Sequence, residues 1–205
     1  MKIAVIGTGN VGSSLAKSWS NTGHQIILGV RDFDSKNTQK AKELVPEAAI
    51  KSIREAVNLS DVVLLAIPPA AILDLIPEMG DISDKILIDA TNSFGKKPEP
   101  YETVYHAVKE MRKTDKVVKC FNSTGYENMA NPNYNGRGAD MFAAGNNEEA
   151  KNTAQKLAAD AGFENCYDFG GDDKVKLLEH FAASWVNLAI QQGLGRNLAF
   201  KILKR

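Results

Sequence analysis

Residues 2–12 read Lys2-Ile3-Ala4-Val5-Ile6-Gly7-Thr8-Gly9-Asn10-Val11-Gly12. The apolar run from Ile3 to Ile6 carries β-branched residues, as a strand covered on both faces does. The run ends at Gly7, and a G-x-G-x-x-G turn follows without a gap. Val11, Leu15 and Trp19 then recur at helical spacing, so a helix is predicted over Asn10–Asn21. Strand, glycine turn and helix in that order are the context that gives the motif its meaning. Gly7 permits a tight turn, Gly9 lets a pyrophosphate approach the backbone, and Gly12 lets the helix lie close to the strand. The helix start offers free N–H groups and a positive dipole end to phosphate. Gly7, Thr8, Gly9, Asn10, Val11 and Gly12 are therefore the expected phosphate-binding residues of a dinucleotide site.

The same alternation runs outward from this unit. Strands are expected over 2–6, 25–29, 61–67, 85–89 and 117–121. Helices are expected over 10–21, 35–44, 53–59, 70–79 and 101–113, with a polar loop over 92–100. Strands alternating with helices predict an α/β, Rossmann-type, doubly wound parallel sheet. Beyond Asn122 the pattern loosens. Asn131–Gly138 is rich in turn formers and reads as a loop. A strand over 140–144, a helix over 148–161 and a strand over 163–169 follow. Leu178, Ala182, Trp185 and Leu188 form one apolar stripe, which predicts a long helix over 172–192. A last amphipathic turn or two is expected after Gly195. The division expected is a dinucleotide-binding domain, 1–122, and a short α/β extension, 123–205, packed on the same sheet or merged with it into one domain.

The second strand end distinguishes the two common dinucleotides. An acidic residue there suits the ribose hydroxyls of NAD. Here the chain reads Gly29-Val30-Arg31-Asp32, and the Arg31 guanidinium suits a 2′-phosphate. NADP(H) is the expected cofactor, although a shift of one residue would place Asp32 there. Lys36 stands at the next helix start. Ligands of doubly wound sheets sit at the carboxyl ends of the strands. Ile67 and Pro68 end one strand and would present backbone near the ribose and nicotinamide. Asn92 follows the next strand, and Asn122, Ser123 and Thr124 follow the one after. Pro68, Asn92, Asn122, Ser123 and Thr124 are the expected acceptor pocket. No catalytic acid or base stands out. Hydride transfer depends on geometry and a dry pocket more than on such groups.

Other classes are disfavoured. Twenty-five basic residues balance twenty-five acidic ones in 205 residues, so no net field draws nucleic acid or an anionic membrane. His24, His106 and His180 form no cluster with other metal ligands, and no metal is expected. The longest apolar stretch is broken by Pro68-Pro69 and is too short to span a bilayer. The four apolar residues before Gly7 do not make a signal peptide. A cytoplasmic protein is expected, with Cys120 and Cys166 as reduced thiols on buried strands.

The chain resembles the family of coenzyme F420-dependent NADP oxidoreductases. The resemblance rests on GTGNVG from Gly7, GVRD at 29–32, IPPAAI at 67–72 and the C-terminal LEHFAASWVNLAIQQGLGRNLAFKIL from Leu178. It is similar also to the cytosolic domain of the six-transmembrane metalloreductases. The resemblance implies hydride transfer between NADPH and a deazaflavin or flavin-like acceptor. It implies that Thr8, Arg31 and the Asn10–Val11 backbone hold NADP, that residues after Ile67 and around Asn122 line the acceptor pocket, and that the C-terminal segment joins a homodimer. Val30 stands where archaeal members carry a serine. Asn122-Ser123-Thr124-Gly125 stands where they carry a histidine and a proline. Two other readings compete: a dehydrogenase or reductase of the hydroxyacid or pyrroline-5-carboxylate type, and a non-catalytic NADP-binding protein. The hydroxyacid type needs a lysine with an asparagine four residues on, and here Lys176 is followed by His180.

Overall fold

In the computed structural model, which describes residues 1–205, the strands and helices form one eight-stranded sheet with helices on both faces. The strands are β1 (Lys2–Ile6), β2 (Gln25–Val30), β3 (Ala49–Ser52), β4 (Val62–Leu65), β5 (Ile86–Asp89) and β6 (Val117–Lys119). A small hairpin, β7 (Asn133–Tyr134) and β8 (Arg137–Gly138), precedes β9 (Asp140–Ala144) and β10 (Asn165–Gly170). The helices are α1 (Asn10–Asn21), α2 (Lys36–Leu44), α3 (Ile53–Asn58), α4 (Ile72–Leu75), α5 (Val104–Arg112), α6 (Tyr126–Ala130), α7 (Glu148–Asp160) and α8 (Val175–Val186).

The strand order is β10-β9-β6-β5-β4-β1-β2-β3. Strands β1 to β6 are parallel, as expected of the doubly wound half. Strand β9 turns against β6 and pairs antiparallel, while β10 pairs parallel with β9. The sheet is therefore mostly parallel and spans both halves of the chain.

Alternation along the strands divides the core. Ile3 and Val5 point to one face with Leu15, Ala16 and Trp19 of α1 and with Ala154 and Leu157 of α7. Ala4 and Ile6 point to the other face with Ile53 and Val57 of α3, Val104 and Val108 of α5, and Leu178 of α8. Helix ends follow local chemistry. Ser35, Ser52, Thr103 and Asn147 cap α2, α3, α5 and α7 with side-chain oxygens on backbone N–H groups.

Several expectations are corrected. Residues 70–79 do not form one helix. Pro69 opens a 3-10 turn, α4 spans only four residues, and a second 3-10 turn containing Pro77 follows. Proline lacks the N–H that would continue the ladder. The helix expected from Tyr101 begins at Val104, where Thr103 caps it. The edge strand β3 was not expected, since Ala49-Ile50-Lys51-Ser52 is short and polar. Residues 131–138 contain the hairpin β7–β8. Its Asn135-Gly136 turn has φ of 53° and 88°, the positive pair that a tight hairpin needs. No helical turn follows Gly195. Residues 196–205 run as an irregular strap, and the Asp140 N–H donates to the Phe200 carbonyl at 3.0 Å. Cys120 is buried just beyond the end of β6, whereas Cys166 on β10 is only partly buried.

Candidate functional site

The turn after β1 is shaped by its glycines. Gly7 has φ of +106°, and a Cβ there would sit 2.3 Å from the Ala66 carbonyl oxygen. A Cβ on Gly12 would sit 2.0 Å from the Gly7 carbonyl oxygen and 3.1 Å from Val5 Cγ1. Both positions lack room for any side chain. Gly9 differs, because a Cβ there would meet nothing within 4 Å. Its missing side chain leaves the approach to the start of α1 open. Gly9 caps α1 with no side-chain oxygen, and the first turn holds no acidic residue. The amides and the positive helix end thus face that open space without a protein counter-ion. Ser13 Oγ donates to the Thr8 carbonyl at 3.0 Å and steadies the loop. Val11 packs against the core on the α1 face.

A cleft of about 230 Å³ runs from this turn across the ends of β1 and β2. Gly7, Thr8, Arg31, Ile67 and Pro68 all line it, together with Asp32, Ser35 and Thr38. Thr8 and Asn10 also line a second, polar cleft beside α2 that reaches Tyr126. The Asp32 carboxylate accepts the Asp34 N–H at 2.9 Å, and its carbonyl accepts the Thr38 hydroxyl at 2.9 Å. Asp32 is thus committed to the turn before α2. Arg31 meets Glu78: Nη2 lies 2.8 Å from Oε1, and Nε donates to Oε2 at 3.1 Å. Lys36, in the first turn of α2, does not line this cleft.

The ends of β5 and β6 form a separate, tightly bonded group. Asn92 Nδ2 donates to the Asn122 carbonyl at 2.8 Å, and Asn122 Nδ2 donates to Asn92 Oδ1 at 3.0 Å. Asn122 Oδ1, Thr91 Oγ1 and Ser93 Oγ are buried without a protein partner. Ser123 is buried and turned toward Met141 Sδ at 3.5 Å. Thr124 Oγ1 donates to the Leu198 carbonyl at 3.4 Å and accepts from Asn128 Nδ2 at 2.8 Å. Of the five residues expected to line an acceptor pocket, only Pro68 borders the cleft above. Asn92 and Asn122 lie together beside α8, while Ser123 turns toward β9 and Thr124 toward the C-terminal strap.

Beneath them lies a feature that the sequence reading missed. Lys119 Nζ is fully buried between Asp89 Oδ2 at 2.9 Å and Glu179 Oε1 at 2.5 Å. The other carboxylate oxygens accept backbone N–H groups, Asp89 from Thr91 at 2.9 Å and Glu179 from Ser93 at 2.8 Å. Helix α8 is thereby tied to the ends of β5 and β6. A charged residue inside each of the apolar runs Ile86–Ala90 and Val117–Phe121 was the available signal. Of the lysines and histidines considered, Lys176 is half exposed and pairs with Glu102, and His180 is exposed on α8. His24 Nε2 meets Asp160 Oδ2 at 2.9 Å, and His106 Nδ1 meets Thr103 Oγ1 at 2.7 Å, both away from the glycine turn. No group of His, Cys, Asp and Glu is placed to hold a metal ion. No helix is long and apolar enough to cross a membrane.

The sheet order, the glycine turn and the cleft over β1 and β2 define a Rossmann-type α/β protein with an open glycine turn at the start of its first helix. Residues 2–93 match the family described as NADP oxidoreductase, coenzyme F420-dependent. Likeness extends beyond that segment. The chain is 28% identical to the F420-dependent NADP reductase of Methanocaldococcus jannaschii, with 93% of each chain covered. It is also 28% identical to the enzyme of that name from Methanothermobacter thermautotrophicus, over 98% of this chain and 94% of that one. The fold matches a solved structure from Arthrobacter sp. FB24 with a TM-score of 0.87, at 24% identity and over the whole of both chains.

Proposed function

We propose that this protein is an NADP(H)-dependent oxidoreductase that moves hydride between NADPH and a deazaflavin, coenzyme F420, or a flavin-like acceptor. The observation that carries the reading is the placement of Arg31 on the same cleft as the open glycine turn. The α1 amides are suited to the pyrophosphate, and Arg31 to the 2′-phosphate. NADP(H) supplies the hydride. The chain's own residues bind and orient it: Gly7, Gly9 and Gly12 shape the phosphate seat, and Ile67 and Pro68 wall the ribose side. The buried group at Asn92 and Asn122 stands on the acceptor side, where α8 shields the strand ends from water. The named relatives, which cover nearly the full chain, support the same donor and acceptor pair.

The hydroxyacid-type reading draws no support from Lys176, which is half exposed and paired on the surface. A homodimer formed through the C-terminal segment is part of the proposal. Leu177, Ile190, Leu194 and Leu203 are exposed there, and covering them in a second copy would remove apolar surface from water.

The test is NADPH oxidation by the purified chain against oxidised F420, FMN, FAD, a quinone and a ferric chelate, with NADH as control donor. Turnover with F420 or a flavin, faster from NADPH than from NADH, is expected. NADPH binding without turnover on any acceptor would overturn the catalytic reading.

A further inference from the structure

Arg31 and Glu78 are 47 positions apart in sequence, yet their backbones are both fixed by the core. Val30 is buried at the end of β2, which positions Arg31. Ile76 and Met79 are buried on either side of Glu78. Arg112 also pins this segment, donating to the carbonyls of Ile76 and Gly80. The guanidinium and carboxylate therefore meet by construction of the fold, edge to edge, with two nitrogens on two oxygens. Both side chains are nearly half exposed, at 49% and 42%, so either can move without disturbing the core.

Arg54 completes the group. It lines the same surface cleft as Arg31 and Glu78. Its side chain lies over Gly80, with Cγ 3.3 Å and Nη1 3.7 Å from the place of a Gly80 Cβ. It makes no ion pair, whereas Arg31 has one. One guanidinium carries one positive charge. A carboxylate and a phosphate ester together bring more than one negative charge to it, and the two anions repel.

We propose that Glu78 is a specificity-determining residue: its carboxylate competes with the cofactor's 2′-phosphate for Arg31, and Arg54 receives the carboxylate when the phosphate holds Arg31. This rests on the reading of Arg31 as the 2′-phosphate residue. The exchange keeps charges paired in both arrangements and moves no backbone. Because the Arg31–Glu78 pair is edge to edge and Arg54 is the weaker partner, the exchange weakens NADPH binding by at most the strength of one exposed ion pair and favours cofactor release. NADH has no 2′-phosphate and leaves the Arg31–Glu78 pair untouched.

The experiment measures dissociation constants of NADPH and NADH for the full chain and for Glu78→Gln, Arg54→Ala, the double variant and Arg31→Ala. Glu78→Gln is expected to bind NADPH about two- to fivefold more tightly, the scale of one exposed ion pair, with NADH unchanged. Arg54→Ala is expected to weaken NADPH, and that loss is expected to fall by at least half when Glu78 is already glutamine. Unchanged or weaker NADPH binding in Glu78→Gln overturns the proposal, as does an Arg54 effect of equal size in both backgrounds. Arg31→Ala separates the two levels. If it weakens NADPH and NADH equally, the reading of Arg31 fails. If it weakens NADPH alone while Glu78→Gln changes nothing, that reading stands and the competition fails.

Discussion

Replacing Lys119 by methionine removes the one positive charge between two buried carboxylates. Asp89 is fully buried and Glu179 is 4% exposed, so neither gains water in compensation. Each keeps one backbone N–H, from Thr91 and Ser93, and loses its ion partner. Breaking a buried pair by deleting one member costs about 3–5 kcal/mol, because the remaining charge is unpaired. For a chain of this length, each kcal/mol lowers the melting temperature by about 2–4 °C. Lys119→Met is therefore expected to lower Tm by about 6–20 °C. The combined variant Asp89→Asn, Lys119→Met, Glu179→Gln removes all three charges and keeps amide oxygens for the two backbone donors. It is expected to recover most of the loss, since exchanging a whole buried ion group for neutral groups is often near neutral. Thermal unfolding by circular dichroism, with urea unfolding as a second measure, reads both. A single variant within about 1 kcal/mol of the parent would refute the reasoning. So would a combined variant as unstable as the single one.

Gly12→Ala places a methyl 2.0 Å from the Gly7 carbonyl oxygen. It is expected to force α1 away from β1, with a loss of about 1–3 kcal/mol and at least tenfold weaker NADPH binding, read by unfolding and by cofactor titration. Gly9→Ala meets nothing in the protein, so it should lower Tm by no more than about 2 °C while still weakening NADPH, since surface changes that touch nothing alter stability little. Burial raises the Asp172 carboxyl, but hydrogen bonds from Lys109 and Tyr105 outweigh it and hold the value below the ordinary 3.8. A lowered folded value means that its stabilisation is present above the ordinary carboxylate range and is lost as pH falls through the folded value. Asp172→Asn should flatten that part of the acid limb of a stability-against-pH curve, and an unchanged limb would count against the assignment.

The glycine turn was legible because each of its requirements is local. Gly7, Gly9 and Gly12 lie within one turn, next to the strand and helix that give them meaning. Five of the six parallel strands β1 to β6 were legible for the same reason, since each announces itself by an apolar run, whereas β3 has none. Residues 70–79 misled because their apolar spacing is helical while Pro77 withholds an N–H from the ladder. The reversal of β9 left no mark, because a strand's direction is set by pairing partners and not by its own residues. The pairing of Glu78 with Arg31 and of Lys119 with Glu179 was hidden for a related cause. The Arg31–Glu78 pair spans 47 positions, and the Lys119–Glu179 pair spans 60. Only the crossovers of the sheet bring them together.

The strap after α8 ends on one carbonyl with several duties. Leu198 accepts from the Trp185 indole at 2.7 Å, from Asn128 at 2.8 Å and from Thr124 at 3.4 Å. The strand-end wall beside Asn122 is thus finished by a residue that comes far later in the chain than the glycine turn. Domains fold from the N-terminus as the ribosome delivers them, at about 5–20 residues per second. The glycine turn and its cleft are encoded early and can form on the nascent chain. The opposite wall must wait until Leu198 has been made, so the order of synthesis separates the glycine-turn side of the molecule in time from the strand-end side.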